Sequence, residues 1–192
     1  MKKPALFFAI LAITALPAAA QNSSEFGILF GGTKLLNDIP SAPNGNNQGQ
    51  RGVNDFKFSN SVKEVYWGIQ MEPGTWLRIK AEQINAPLIV LDANNNKVDG
   101  GKGKIDHIDA LVDYKFSEAF GSTGIFAGVG MYRQNQSGSG SDDTNIGFSA
   151  GVNADFPFSR RYGLVVESAY HWVRLPARPR YITLSGGLRI SF

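Results

Sequence analysis

The residues best suited to carry chemistry in this chain of 192 residues are its two histidines, His107 and His171. A hydrolytic serine–histidine–acid set needs a serine and a carboxylate within hydrogen-bond reach of one imidazole. His171 has Ser168 and Glu167 close by in sequence. In an extended strand Glu167 shares a face with His171 but stands roughly 13 Å away, because each residue advances the chain by about 3.3 Å. Ser168 falls on the opposite face. There is no cysteine, which excludes disulfides and thiolate metal sites. Asp92, Asn94, Asn96 and Asp99 have the spacing of a calcium loop, but Lys97 stands where the turn needs glycine and Gly103 where a bidentate glutamate belongs. These residues predict no catalytic residue, no metal and no cofactor.

The elements that position these residues are strands. Residues 1–20 are read separately: Lys2 and Lys3 precede an apolar run over 5–16, and Ala18, Ala19 and Ala20 supply a small-residue cleavage site. That is a secretory signal expected to be removed after Ala20, its apolar run falling short of the about 20 residues a spanning helix needs. Two of the 19 basic residues belong to it, so the mature region 21–192 is close to neutral against 16 acidic residues. No block of lysine and arginine suggests nucleic acid as a partner.

Beyond residue 20 the hydrophobic signal has period two, and eight segments alternate. The cleanest places Ile146, Phe148, Ala150, Val152, Ala154 and Phe156 on one face and Gly147, Ser149, Gly151, Asn153 and Asp155 on the other. The last sets Ile182, Leu184, Leu188, Ile190 and Phe192 against Thr183, Ser185, Gly187, Arg189 and Ser191. Successive side chains of a strand point to opposite faces, so each set is one surface. Across all eight segments the apolar face carries no charge. The other face holds Glu25, Glu64, Arg78, Lys80, Glu82, Asp109, Asp113, Lys115, Asp155, Glu167 and Arg189. Connections alternate too: 72–75, 117–122 and 157–161 are short, whereas 33–60, 86–103, 134–143 and 174–179 are long and polar. Strands running up and down then gather the short turns at one end and the long loops at the other, as in outer-membrane barrels.

A soluble barrel would turn its apolar face inward. Three features favour the reverse. The charged face is rich in glycine (Gly27, Gly68, Gly124, Gly130, Gly147), which relieves crowding inside a narrow barrel. Tyr114, Phe116, Phe156, Tyr170 and Trp172 lie near strand ends on the apolar face, where interfacial girdles form. The length suits eight spans of about 9–11 residues, and closure satisfies every backbone group in lipid. The fold expected is an all-β, eight-stranded, antiparallel up-and-down transmembrane barrel over 21–192.

This pattern, with the ending Leu188-Arg189-Ile190-Ser191-Phe192, resembles the eight-stranded outer-membrane barrel superfamily, the small barrels of the OmpX and OmpA-transmembrane type. The resemblance implies a place in the outer membrane of a diderm (Gram-negative) bacterium, a monomer, and Phe192 as the signal read by the barrel-assembly machinery. The partners expected are outer-membrane lipids and lipopolysaccharide, whose phosphates suit the planar forks of Arg174, Arg178 and Arg180. Inside the barrel, Arg78, Lys80, Glu82, Asp109, Asp113, Lys115, Glu167 and Arg189 are expected to pair as a polar plug, since unpaired charge there is costly. The function expected is structural support or surface interaction through the loops. A narrow channel for small or hydrophobic solutes is the alternative. A lipid A-modifying hydrolase stands further off, because the His-x-Ser pattern of the barrel deacylases is missing.

Overall fold

The computed structural model describes residues 23–36, 57–91, 94, 97–118, 121–136, 143–175 and 178–192. The signal-peptide expectation for 1–20 and most of the first long loop lie outside these residues.

Eight strands follow in order: β1 (Ser24–Leu35), β2 (Lys57–Glu72), β3 (Thr75–Leu91), β4 (Lys97–Glu118), β5 (Gly121–Gln136), β6 (Asp143–Pro157), β7 (Tyr162–Val173) and β8 (Arg180–Ser191). Each pairs antiparallel with its sequence neighbours, and β1 also pairs with β8, so the sheet closes into an up-and-down barrel. At the seam Ile28 lies opposite Val65 on one side and Leu188 on the other. The Phe192 N–H donates to the Ser24 carbonyl at 2.9 Å, so the final residue helps close the ring. Closure leaves no open strand edge, the condition for crossing lipid without unpaired backbone.

One strand boundary differs from the sequence expectation. The segment 86–103 is largely a strand ladder: β3 runs to Leu91 and β4 starts at Lys97, with Leu91 opposite Lys97. A hairpin needs only its partner strand, so the apolar run at 87–91, which includes β-branched Ile89 and Val90, continues the pairing past the expected loop boundary. Its register slips between Pro87 and Ile89, where proline lacks a backbone donor. At the other end, the β2–β3 turn uses Gly74 at φ 81°, a backbone region that favours glycine. The Gly74 carbonyl accepts the Lys115 N–H at 2.7 Å.

The apolar face is outside. Phe30, Val112, Val129, Met131 and Ile146 are each exposed by more than half of their surface, and Ile125, Val152 and Leu188 likewise stand on the exterior. Water penalises such a continuous belt, whereas hydrocarbon does not. The charged face is inside, as the alternation predicts, and is buried except for half-buried Lys115 and Arg189. Glycine makes room for it. A Cβ at Gly124 would meet Asn153 Oδ1 at 2.6 Å and Asp113 Oδ1 at 2.9 Å, and one at Gly130 would collide with the Asp109 carboxylate.

Candidate functional site

Because alternate residues of every strand point inward, the barrel axis is built in layers, each taking one residue from several strands. At the short-turn end, Lys115 of β4 reaches Glu25 of β1 with both carboxylate oxygens at 2.8 Å, and its ammonium lies 4.5 Å from the Trp76 ring centre. Arg189 of β8 pairs with Asp155 of β6 and also bonds Ser191.

One layer up, Arg78 of β3 is the hub. Its Nη2 donates to Glu167 at 2.8 Å and its Nη1 to Asp113 at 3.1 Å, with Glu64 at 3.8 Å. The guanidinium also lies 4.1 Å from the Tyr66 ring centre. Lys80 donates to the other Glu167 oxygen at 2.9 Å, so one carboxylate of β7 bridges two cations of β3 across the lumen. Asn153 Nδ2 donates to Asp113 at 2.9 Å. Arg78, Lys80, Asp109, Asp113 and Glu167 are all essentially inaccessible. Desolvated charges demand this kind of multiple pairing.

Above the hub, Glu82, His107 and His171 meet. Glu82 and His107 are opposite one another in the β3–β4 ladder, and His171 enters from β7. His107 stacks on Tyr132 at 4.3 Å between ring centres. Tyr132 and Ser149 both donate to Asp109 Oδ2, at 3.3 and 2.8 Å. The layer nearest the long loops is apolar: Leu35, Val62, Ile84, Ile105, Val173, Leu175 and Tyr181 form one buried cluster.

The structure thus brings Arg78, Lys80, Glu82, Asp109, Asp113 and Glu167 into one connected network, while Lys115 and Arg189 form a separate pair of bridges below it. Glu64, Ser149 and Asn153, which the alternation places inward, join the network, as do Tyr66 and Tyr132, which were not singled out from sequence. Their inward parity was the available signal. The apolar inner layers were missed for a related reason: Leu29, Leu111, Phe126, Val165 and Tyr181 occupy inward positions that the alternation alone assigns to the polar face.

His171 does not meet Glu167, which is held by Arg78 and Lys80. Ser168 is on the exterior face and His171 inside, so these two do not pair. Arg174, Arg178 and Arg180 are exposed at the loop end. The Arg178 backbone takes φ 48° and its N–H donates to the Leu175 carbonyl at 2.7 Å, and the Leu175 side chain lies in the apolar layer. Tyr114, Phe116 and Phe156 lie on the exterior near the short-turn end, the first two edge to face at 4.9 Å. Tyr170 and Trp172 lie near the loop end, opposite Ile182 and Arg180.

No protein-family model and no curated relative matches the chain. Solved structures do. Neisserial surface protein A superposes with a TM-score of 0.64 at 15% identity, over 88% of this chain and 99% of that one. The N-terminal β-barrel domain of Pseudomonas aeruginosa OprF gives 0.54 at 12% identity, over 89% and 98%. The attachment invasion locus protein Ail of Yersinia pestis, in complex with the heparin analogue sucrose octasulfate, gives 0.50 at 11% identity, over 89% and 99%. The fold is that of the small outer-membrane barrels. With its apolar exterior, the chain is a transmembrane β-barrel of the outer-membrane type.

Proposed function

We propose that this protein is a non-catalytic outer-membrane barrel, closed along its axis, that supports the membrane and interacts through its loop-end surface. The observation that carries this reading is the filled interior: a charged, hydrogen-bonded network capped by an apolar layer, in a barrel of eight strands. In so narrow a barrel the side chains themselves fill the lumen. Monomeric function, assembly through Phe192 and lipopolysaccharide as a partner belong to the same reading. Arg174, Arg178 and Arg180 supply the phosphate chemistry at the loop end. Ail, which shares the fold, is solved with a polysulfated ligand, and three exposed arginines give this chain a surface of comparable chemistry.

Planar-bilayer recording tests closure. Refolded protein is expected to give no discrete conductance steps; regular openings would support the channel alternative and end this proposal. For the surface, replacing the three arginines by glutamine is expected to weaken binding to lipopolysaccharide vesicles, while a folded triple variant that binds as wild type would remove the arginines from the account.

A further inference from the structure

The interior charges do not balance. Between the two turn-end bridges and the apolar layer, Arg78 and Lys80 face Glu64, Glu82, Asp109, Asp113 and Glu167, all buried. With both imidazoles neutral, the described residues leave an excess of negative charge that hydrogen bonds alone do not cancel.

The imbalance coincides with a set of donor atoms. One ligand atom from each of Glu82, His107 and His171 lies within 4.8 Å of the others. His107 Nε2 is 3.4 Å from Glu82 Oε2, and His171 Nε2 is 3.8 Å from Glu82 Oε1. Ligands held tetrahedrally at about 2.0–2.1 Å from a zinc ion stand about 3.4 Å apart, so the His107–Glu82 pair already fits and the remaining separations, all within 4.8 Å, need to close by about 1.4 Å at most. Both Glu82 oxygens and His107 Nε2 are fully buried and have no hydrogen-bond partner. A buried polar atom short of hydrogen bonds is expensive; Glu82 Oε2 has only its ion pairs, to Lys80 and His107, and Glu82 Oε1 and His107 Nε2 converge beside it.

The surrounding groups orient both rings. His107 Nδ1 lies 3.1 Å from Asp109 Oδ1, and His171 Nδ1 lies 3.1 Å from the Tyr132 hydroxyl, which in turn donates to Asp109. With the proton on each Nδ1, the Nε2 lone pairs face Glu82. A carboxylate behind a ligating histidine is the usual support of a metal-bound imidazole. Two neighbours compete for the donors: Lys80 Nζ at 3.2 Å from Glu82 Oε2, and Thr183 Oγ1 at 3.1 Å from His171 Nε2. Lys80 is also held by Glu167, and the Thr183 hydroxyl has a second acceptor in the Ala169 carbonyl at 3.5 Å.

We propose that Glu82, His107 and His171 form an internal site for one divalent first-row transition ion, zinc in the resting protein. Two imidazoles and a carboxylate suit that class better than calcium or magnesium. The apolar layer above and the charged hub below bar free exchange, so the ion enters as the barrel closes. This site is independent of the loop-end surface.

The test refolds the untagged mature chain from urea into detergent micelles with a tenfold excess of cobalt(II) as the probe, followed by chelator and gel filtration. One cobalt per heat-modifiable barrel is expected, with visible d–d absorption and two paramagnetically shifted imidazole N–H resonances. Asp109→Asn, which leaves the ligands in place, is expected to weaken retention about 10–100-fold. His171→Asn is expected to abolish it. A folded wild-type barrel that retains less than a tenth of an equivalent, or that binds cobalt without the two shifted resonances, overturns the proposal. That readout needs no variant to fold.

Discussion

Replacing Arg78 by methionine is the sharpest test of the packed interior. The side chain keeps much of its aliphatic volume and loses its charge. Asp113 loses its 3.1 Å partner, Glu167 keeps only Lys80, and Tyr66 loses the cation over its ring. Removing one member of a buried pair costs about 3–5 kcal/mol, because the remaining charge stays desolvated. Arg78 serves two carboxylates at hydrogen-bond distance, which places the expected loss in the upper half of that range. At about 1.4 kcal/mol per factor of ten, the folded-to-unfolded ratio falls by about three orders of magnitude or more. Reversible urea unfolding in phospholipid vesicles, followed by tryptophan fluorescence, measures it. Asp113→Asn supplies the second arm. Its remaining partner is Asn153, and the double variant is expected to cost about 1–3 kcal/mol less than the sum of the single ones. Should Arg78→Met cost under about 1 kcal/mol, the network would behave like a solvated surface pair, and the reasoning from a sealed, low-dielectric lumen would fail.

Three further outcomes follow from the orientation of the strands. Spin labels at Val152 and Asn153, adjacent on β6, are expected to report lipid and interior respectively, since Val152 is 56% exposed and Asn153 6%; the opposite contrast would invert the barrel. Val112→Lys, on the exterior of β4, is expected to lower stability in vesicles by about 2–4 kcal/mol if its Cα lies near the bilayer midplane, and a neutral result would move that residue out of hydrocarbon. Gly130→Val places atoms against the Asp109 carboxylate and neighbouring backbone, so the fraction refolding to the heat-modifiable form is expected to fall sharply, whereas Gly186→Ala on the open exterior should refold as wild type. Equal yields would show that the interior has slack.

The strands and their two faces were legible because both are local. A period of two is written residue by residue, and the separation of charge from apolar side chains survives any uncertainty about where a strand begins. Strand ends were less legible, as the 87–91 run shows, because pairing continues wherever a partner strand offers hydrogen bonds. The inward position of Arg78, Lys80, Glu82, Asp109, Asp113 and Glu167 could be read from parity. Their partners could not. Arg78 bonds Glu167 from 89 residues away, and Lys115 bonds Glu25 from 90. Such contacts depend on the stagger with which eight strands close, which sets the height at which each inward side chain meets those across the lumen. The same closure turns Leu29, Leu111, Phe126 and Tyr181 from exceptions to the alternation into internal packing, and it brings two histidines 64 positions apart to ring centres separated by 5.0 Å beside Glu82. The sequence by itself determined which side of each strand meets lipid; which interior groups meet one another was decided only by the ring.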